Sequence, residues 1–282
     1  MNILTFDIED WYMSYDGSQI DHSLWPMLES RIEENLNDIL SFLKSMNTPG
    51  TFYIMGWIAE QYPETVKKIA QDGHEIGYHS RFHEQPAKQG NWLFIKDLEY
   101  GLEILEKITS KKVTHYRAPR CSLNHHSAWI IPILTHHGIT VSSSTLSGRK
   151  LLRGTIPDHP VIFDYNGSSM LEFPLNRASF FSFNYVFTGS GYFRIMPQWL
   201  IKTLYARHPY NMAYFHPRDF DPAVPATPLL PFYRNIMSRL GNKTTKTKLS
   251  ALIKQQPFIT VGQAAEELLK TPEKIPRINL GV

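Results

Sequence analysis

Two hydrophobic rhythms alternate along this chain. Short apolar runs at residues 2–6, 51–55 and 75–78 read as buried strands, whereas longer stretches space their apolar residues three or four apart, as amphipathic helices do. Between residues 31 and 46 this spacing puts Ile32, Leu36, Ile39, Leu40 and Leu43 on one face, and Pro49-Gly50 then breaks the pattern. Helices are likewise expected at 57–71, 91–108, around 127–137, at 198–206 and at 262–269. Further strands are expected at 113–117, 139–143, 171–175, 212–216 and 258–261. Repeated strand–helix units predict an α/β fold with a mostly parallel sheet and helices outside it. About seven such units come nearer to a closed or nearly closed barrel than to an open dinucleotide-binding sheet, and no Gly-rich phosphate loop follows any strand.

Two stretches depart from the rhythm. Residues 144–196 are irregular and rich in Ser, Gly and aromatic residues, and they read as an insertion over the barrel mouth. Residues 221–232 hold four prolines and predict an extended loop, so 221–257 is expected to be a loop and helical segment. Because 258–261 reads as a core strand, residues 1–282 are expected to form a single domain.

Composition narrows the function classes. With 42% hydrophobic and 20% charged residues the chain has the make-up of an ordinary soluble globular protein. Its net charge is only +3, and the densest basic run, Asn242-Lys243-Thr244-Thr245-Lys246-Thr247-Lys248, reads as a solvated loop. Nucleic acid is therefore not an expected partner. The single cysteine, Cys121, excludes an intrachain disulfide and reads as a packed rim or core residue. No basic-then-apolar leader precedes the first strand and no apolar stretch could span a bilayer, so a cytoplasmic location is expected. No sequence feature sets the oligomeric state.

The chemistry lies at the strand ends. The first strand runs into three carboxylates, Asp7, Glu9 and Asp10, and the strand at 75–78 runs into His79 and His83 where the chain must turn. The strand at 113–117 leads into Arg117-Ala118-Pro119, and that at 212–216 into His216-Pro217. Two imidazoles and a carboxylate suffice to hold a catalytic divalent metal with an open water position, and a second carboxylate beside them can act as general base. Each group alone has an ordinary explanation, as a loop carboxylate or as one of twelve histidines. Together, at the C-terminal ends of four strands, they point to an active site on one face of an α/β barrel.

In this order the motifs Thr5-Phe6-Asp7, His79-Ser80 with His83, Arg117-Ala118-Pro119 and His216-Pro217 resemble the polysaccharide deacetylases with a NodB-type homology domain. The segments Phe6-Asp7-Ile8-Glu9-Asp10-Trp11, Gly73-His74-Glu75-Ile76, Glu172-Phe173-Pro174 and Gly191-Tyr192-Phe193-Arg194 are similar to the branch associated with bacterial exopolysaccharide loci. The resemblance implies a distorted (β/α) barrel that hydrolyses N-acetyl or O-acetyl groups on a glycan or amino-sugar substrate. It also implies one divalent metal, zinc first, with Co, Ni, Mn or Fe as other occupants. Asp7 would be the general base, Arg117 the residue that orients it, His79 and His83 metal ligands, and His216 the acid that protonates the leaving amine. A backbone N–H after Pro119 would help hold the oxyanion, and Tyr192 and Arg194 would line a sugar subsite, or else pack the insertion onto the barrel.

Two departures matter. Where the family pattern has a second aspartate directly after the first, this chain has Ile8; strand alternation puts Glu9 on the side of Asp7, so Glu9 is the expected third ligand and Asp10 the reserve. Where relatives often carry an aspartate after Gly138, this chain has Ser142, which could offer the arginine only a neutral hydrogen bond. The competing readings are an allantoinase-like hydrolase of small amides and a glycan-binding relative with weakened catalysis.

Overall fold

Strand β1 (Asn2–Ile8) is buried along its whole length and forms the axis of the fold. The computed structural model describes residues 1–13, 20–152, 154–180 and 183–281. Helix α1 (Ile32–Ser45), strand β2 (Thr51–Ile54), helices α2 (Gly56–Gln61) and α3 (Pro63–Gln71) and strand β3 (Glu75–Tyr78) follow. Helix α4 (Pro86–Thr109), strand β4 (His115–Tyr116), helix α5 (Ile130–His136) and strand β5 (Val141–Ser142) keep the alternation. Next come strands β6 (Val161–Tyr165) and β7 (Ser168–Glu172), and a ribbon of β8 (Ala178–Phe180) and β9 (Phe183–Tyr185). Helices α6 (Ser190–Ile195) and α7 (Gln198–Arg207) lead to strand β10 (Asn211–Phe215). Helices α8 (Phe232–Met237), α9 (Asn242–Ile253) and α10 (Val261–Leu268) precede strand β11 (Arg277–Asn279).

One nine-stranded sheet runs β10-β1-β2-β3-β4-β5-β7-β6-β11. From β10 to β7 every neighbour is parallel; β6 turns back antiparallel to β7, and β11 pairs parallel with β6. Backbone pairing does not close the sheet. It curls until β10 faces the chain just beyond β7, where the buried Asn176 spans the gap. Its Oδ1 accepts from the Met212 N–H at 2.8 Å, and its Nδ2 donates to the Tyr210 carbonyl at 3.0 Å. A single side-chain amide thus satisfies backbone groups that a neighbouring strand would otherwise pair, and the barrel is distorted instead of closed.

Strand alternation splits the core in two. Ile3, Val141, Leu171, Phe173 and Met212 meet on the enclosed side, while Leu4, Phe6, Leu36, Ile54, Leu98 and Ile130 belong to the larger cluster between sheet and helices. Helix α4 lies close on β3 because of Gly101, where a Cβ would stand 2.0 Å from the Tyr78 ring. Asp97, on the same helix, accepts from the Tyr78 hydroxyl at 2.7 Å.

Several expectations are corrected. The helix expected at 57–71 is two, because the ring of Pro63 disfavours helical backbone at Tyr62, which sits at φ −129° and ψ 53°. The strand expected at 258–261 is one bridge, Ile3 with Ile259, because Thr260 accepts from the Gln263 N–H and starts α10. The Lys–Thr run is not a loop: it opens α9, with Asn242, Thr245 and Leu249 turned inward three and four residues apart. Within 144–196, β6 and β7 extend the main sheet, so the β8–β9 ribbon and α6 are the parts that stand off it. Among the described residues no helix is long and apolar enough to cross a membrane.

Candidate active site

Strands β1, β3, β4, β5 and β10 each deliver polar residues to the same end of the sheet. Beyond β3 the backbone passes through left-handed geometry at Ser80 (φ 63°) and His83 (φ 58°). Such geometry costs a residue with a Cβ about 1–2 kcal/mol. The Asp97 carboxylate offsets it by accepting from the Arg81 N–H at 2.9 Å and the Ser80 hydroxyl at 3.2 Å, and the turn brings His83 back beside His79.

The Nε2 atoms of His79 and His83 lie 3.1 Å and 3.0 Å from one oxygen, Oε1 of Glu9. His79 Nδ1 lies 2.7 Å from the Arg117 carbonyl and donates to it, so in the neutral, metal-binding ring Nε2 carries the lone pair. A lone pair aimed at a carboxylate oxygen is repelled unless a cation lies between them. The donor set therefore fits a divalent metal: two imidazoles and a carboxylate, with ligand atoms within 4.8 Å of one another. Asp10 is turned elsewhere, accepting from the Ser30 hydroxyl at 2.6 Å and from the backbone of Trp11 and Arg31 at 2.8 Å and 3.1 Å. Glu9 itself lies one residue beyond β1, in a tight turn closed by its N–H on the Asp7 carbonyl at 3.1 Å.

Arg117 is fully buried and donates in three directions. It reaches Asp7 Oδ1 at 2.7 Å, the Thr5 hydroxyl at 3.0 Å, and the Ser143 carbonyl and hydroxyl at 3.0 Å and 2.8 Å. Its guanidinium also lies 4.2 Å from the Tyr53 ring centroid. The neutral partner is thus Ser143, not Ser142, whose hydroxyl turns to Ser144 at 2.7 Å. Behind these serines lies Glu172, buried, accepting from the Ser144 N–H and the Thr145 hydroxyl, both at 2.7 Å.

His216 completes the group from β10. Its Nε2 lies 2.9 Å from the Tyr214 hydroxyl and 3.8 Å from Glu9 Oε2, and its Nδ1 lies 3.2 Å from Asp219. Asp219 also accepts from the His216 N–H at 2.8 Å and pairs with Arg194 at 3.2 Å. Arg194 lines the cleft from a fixed position: it is buried, donating to the carbonyls of Ser238 and Met237 at 2.8 Å and 3.0 Å, and it backs Asp219. Tyr192 is half exposed against Tyr185, outside the cleft wall. Pro119 opens a 3₁₀ turn whose next residues, Arg120 and Cys121, line the cleft.

Burial alone would raise the Glu9 carboxyl, but the charges of His83 and His216 hold it well below the usual range. Burial pushes the His83 imidazole down, toward the neutral form that binds metals, whereas Asp7 and Glu9 outweigh burial at His79 and lift it. Burial likewise opposes the charge of Asp219, yet the hydrogen bond from His216 and the charge of Arg194 hold it at about 2. The Cys121 thiol is pushed up to about 12 by burial, which rules it out as a ready nucleophile.

The sequence reading missed Asp219, Tyr214, Glu172 and Arg218. Three of these had a signal: Asp219 stands three residues after His216, the spacing of a capping box, Tyr214 shares a strand face with His216, and Glu172 opens the segment Glu172-Phe173-Pro174. Arg218 donates to Glu9 Oε2 at 3.2 Å, a contact no local pattern announces. Together with His83, His216 and Tyr214 it lines a cleft of about 390 Å³.

Residues 3–141 match the family model described as polysaccharide deacetylase, and residues 143–266 match one described as a domain of unknown function, DUF3473. Over 116 residues the chain is 29% identical to a peptidoglycan deacetylase of Helicobacter pylori, spanning 40% of this chain and 38% of that protein. Over 81 residues it is 35% identical to a peptidoglycan-N-acetylglucosamine deacetylase of Bacillus cereus, spanning 29% and 30%. The chain thus spans well under half the length of these curated relatives. The crystal structure of a candidate polysaccharide deacetylase from Mycobacterium smegmatis shares the fold over 98% of this chain and 92% of its own, with TM-score 0.65 and 21% identity.

Proposed function

We propose, from a chain that carries a NodB-type polysaccharide deacetylase domain over residues 3–141 and DUF3473 beyond it, a metal-dependent deacetylase acting on N-acetyl groups of a bacterial glycan or glycan precursor. The observation that carries this reading is the convergence of Glu9, His79 and His83 with an arginine-held Asp7 and an aspartate-backed His216. DUF3473 is found in exopolysaccharide-locus deacetylases, which favours an exopolysaccharide amino sugar over peptidoglycan.

Glu9, His79 and His83 would hold the metal, which when bound supplies the Lewis acidity that polarises the acetyl carbonyl and acidifies water. Arg117 holds one oxygen of Asp7, and the Asp7 carboxylate takes the proton of the attacking water. Arg117 in turn is fixed by Ser143 and Thr5, so the base has one orientation. His216 gives its proton to the departing amine, which leaves poorly without one. Asp219 orients that imidazole through Nδ1, while Tyr214 holds Nε2 toward the cleft.

The test is metal analysis joined to acetate release from N-acetylglucosamine oligomers. The purified protein should carry about one divalent ion per chain. His79→Ala/His83→Ala should lose both the ion and the activity while keeping its melting profile. Equal metal content in variant and wild type would remove the ligand assignment.

A further inference from the structure

Beside the cleft lies a surface that the catalytic residues do not explain. Helix α8 has no buried residue: Phe232 is 80% exposed, and Tyr233, Ile236 and Met237 lie open beside it, with Leu240 one turn on. Single exposed apolar residues are ordinary, but a contiguous set on one short helix marks an interaction site. Ile195 of α6 joins the patch, because the Arg194 bonds to the carbonyls of Met237 and Ser238 hold the two segments together.

The charge carried by this segment has one sign. Residues 222–265 contain six Lys and Arg and not one Asp or Glu. Arg239, Lys243 and Lys254 are exposed, whereas Lys246 is paired with Asp38. A sugar chain would use the aromatic faces but not Ile236, Met237 and Leu240, which offer none. A second copy of the chain would bring like charges together across the interface. A bilayer with anionic headgroups suits both features: the apolar side chains enter the acyl boundary and the basic ones stay among the phosphates.

We infer that α8 and the start of α9 dock the protein on an anionic lipid bilayer. Arg234 and Met237 also line the catalytic cleft, so docking brings the cleft mouth to the membrane, where a lipid-linked glycan precursor would be presented. That choice of substrate rests on the deacetylase reading; the docking itself does not.

The experiment is co-sedimentation of the full chain with vesicles of phosphatidylcholine alone and of phosphatidylcholine with phosphatidylglycerol. Binding is expected only with phosphatidylglycerol present, and it should weaken as salt rises. Phe232→Ser/Ile236→Ser and Arg239→Glu/Lys243→Glu should each weaken it by at least about tenfold, since each basic residue near an anionic surface contributes on the order of fivefold. Thermal melting checks folding, and the exposed single change Lys243→Glu serves if a double variant does not fold. The inference falls if no vesicle binds at low salt or if the variants bind as wild type does. It also falls if the apolar variant instead abolishes self-association in sedimentation velocity or retention on an N-acetylated polymer. Vesicle binding by a protein that releases no acetate would defeat the deacetylase reading and leave the docking intact.

Discussion

A glutamate meets histidine at each end of this sheet, and the two meetings have opposite outcomes. At the C-terminal end Glu9 faces the Nε2 atoms of His79 and His83. At the N-terminal end Glu75 lies 3.6 Å from His115, but its oxygens are already engaged by the Thr51 hydroxyl at 2.5 Å and the Gly262 N–H at 3.0 Å. Gly262 belongs to the first turn of α10, so the carboxylate also sits where a helix favours negative charge. Burial pushes His115 down toward its neutral form. The lower pair ties a helix to the sheet. The upper pair presents three ligand atoms to one point, which among the described residues happens only at that end. Residue type does not separate the two; the donors already bonded to each carboxylate do.

That contrast can be pressed, beginning with the strongest effect. Asp7→Asn at the upper end should keep the metal and the fold but lower acetate release by about 10²–10⁴-fold, the usual contribution of a positioned base. Turnover near the wild-type rate would mean that another group takes the proton. His216→Ala should cost about as much on N-acetyl substrates and much less on an activated acetyl ester, whose leaving group needs no proton. Equal losses on both would make His216 structural or substrate-binding.

Acid should separate the two ends as well. The Asp219 carboxyl lies at about 2 in the folded protein against 3.8 ordinarily, so its contribution is complete above about pH 4 and fades as pH falls toward 2. This amounts to about 2 kcal/mol, and Asp219→Asn should flatten the loss of stability in chemical denaturation across that window. An unchanged acid limb would show that the buried charge is not what stabilises that loop. The smallest effect belongs to the lower end: Glu75→Gln should reduce stability by about 1 kcal/mol with acetate release unchanged. A loss of activity without a loss of stability would erase the distinction between the ends.

Much of the upper end was legible because strand ends are punctuated. Asp7, His79, Arg117 and His216 each follow an apolar run, and alternation favoured Glu9 over Asp10. The structure reaches the same grouping by a turn just past the strand. The packing role of Arg194 was the harder half of its reading to see, because its partners come from segments 43 to 48 residues distant. Neither the segment Glu172-Phe173-Pro174 nor the spacing of Asp219 from His216 announces a buried acid; only the tertiary fold encloses them. Short strands such as β4 and β5 blurred their boundaries, and the edge strand β11 has too few apolar residues to announce itself. The mixed character of α9 hid its helix, because threonines occupy positions that an apolar residue would normally mark.

The pairing of β1 with β10 joins Asn2 to Asn211, 209 residues apart. A chain emerging from the ribosome therefore has β1 to β5 available, with Asp7, both imidazoles and Arg117 among them, long before β10 exists. During that interval one side of a wholly buried strand is bare backbone, the kind of edge that recruits other chains. Contacts of such long sequence separation also form slowly, because the loop must close before they stabilise anything. His216 arrives on the same strand that covers the edge, since it follows β10 directly. Completion of the buried polar cluster and removal of the aggregation hazard are thus one late event in biosynthesis.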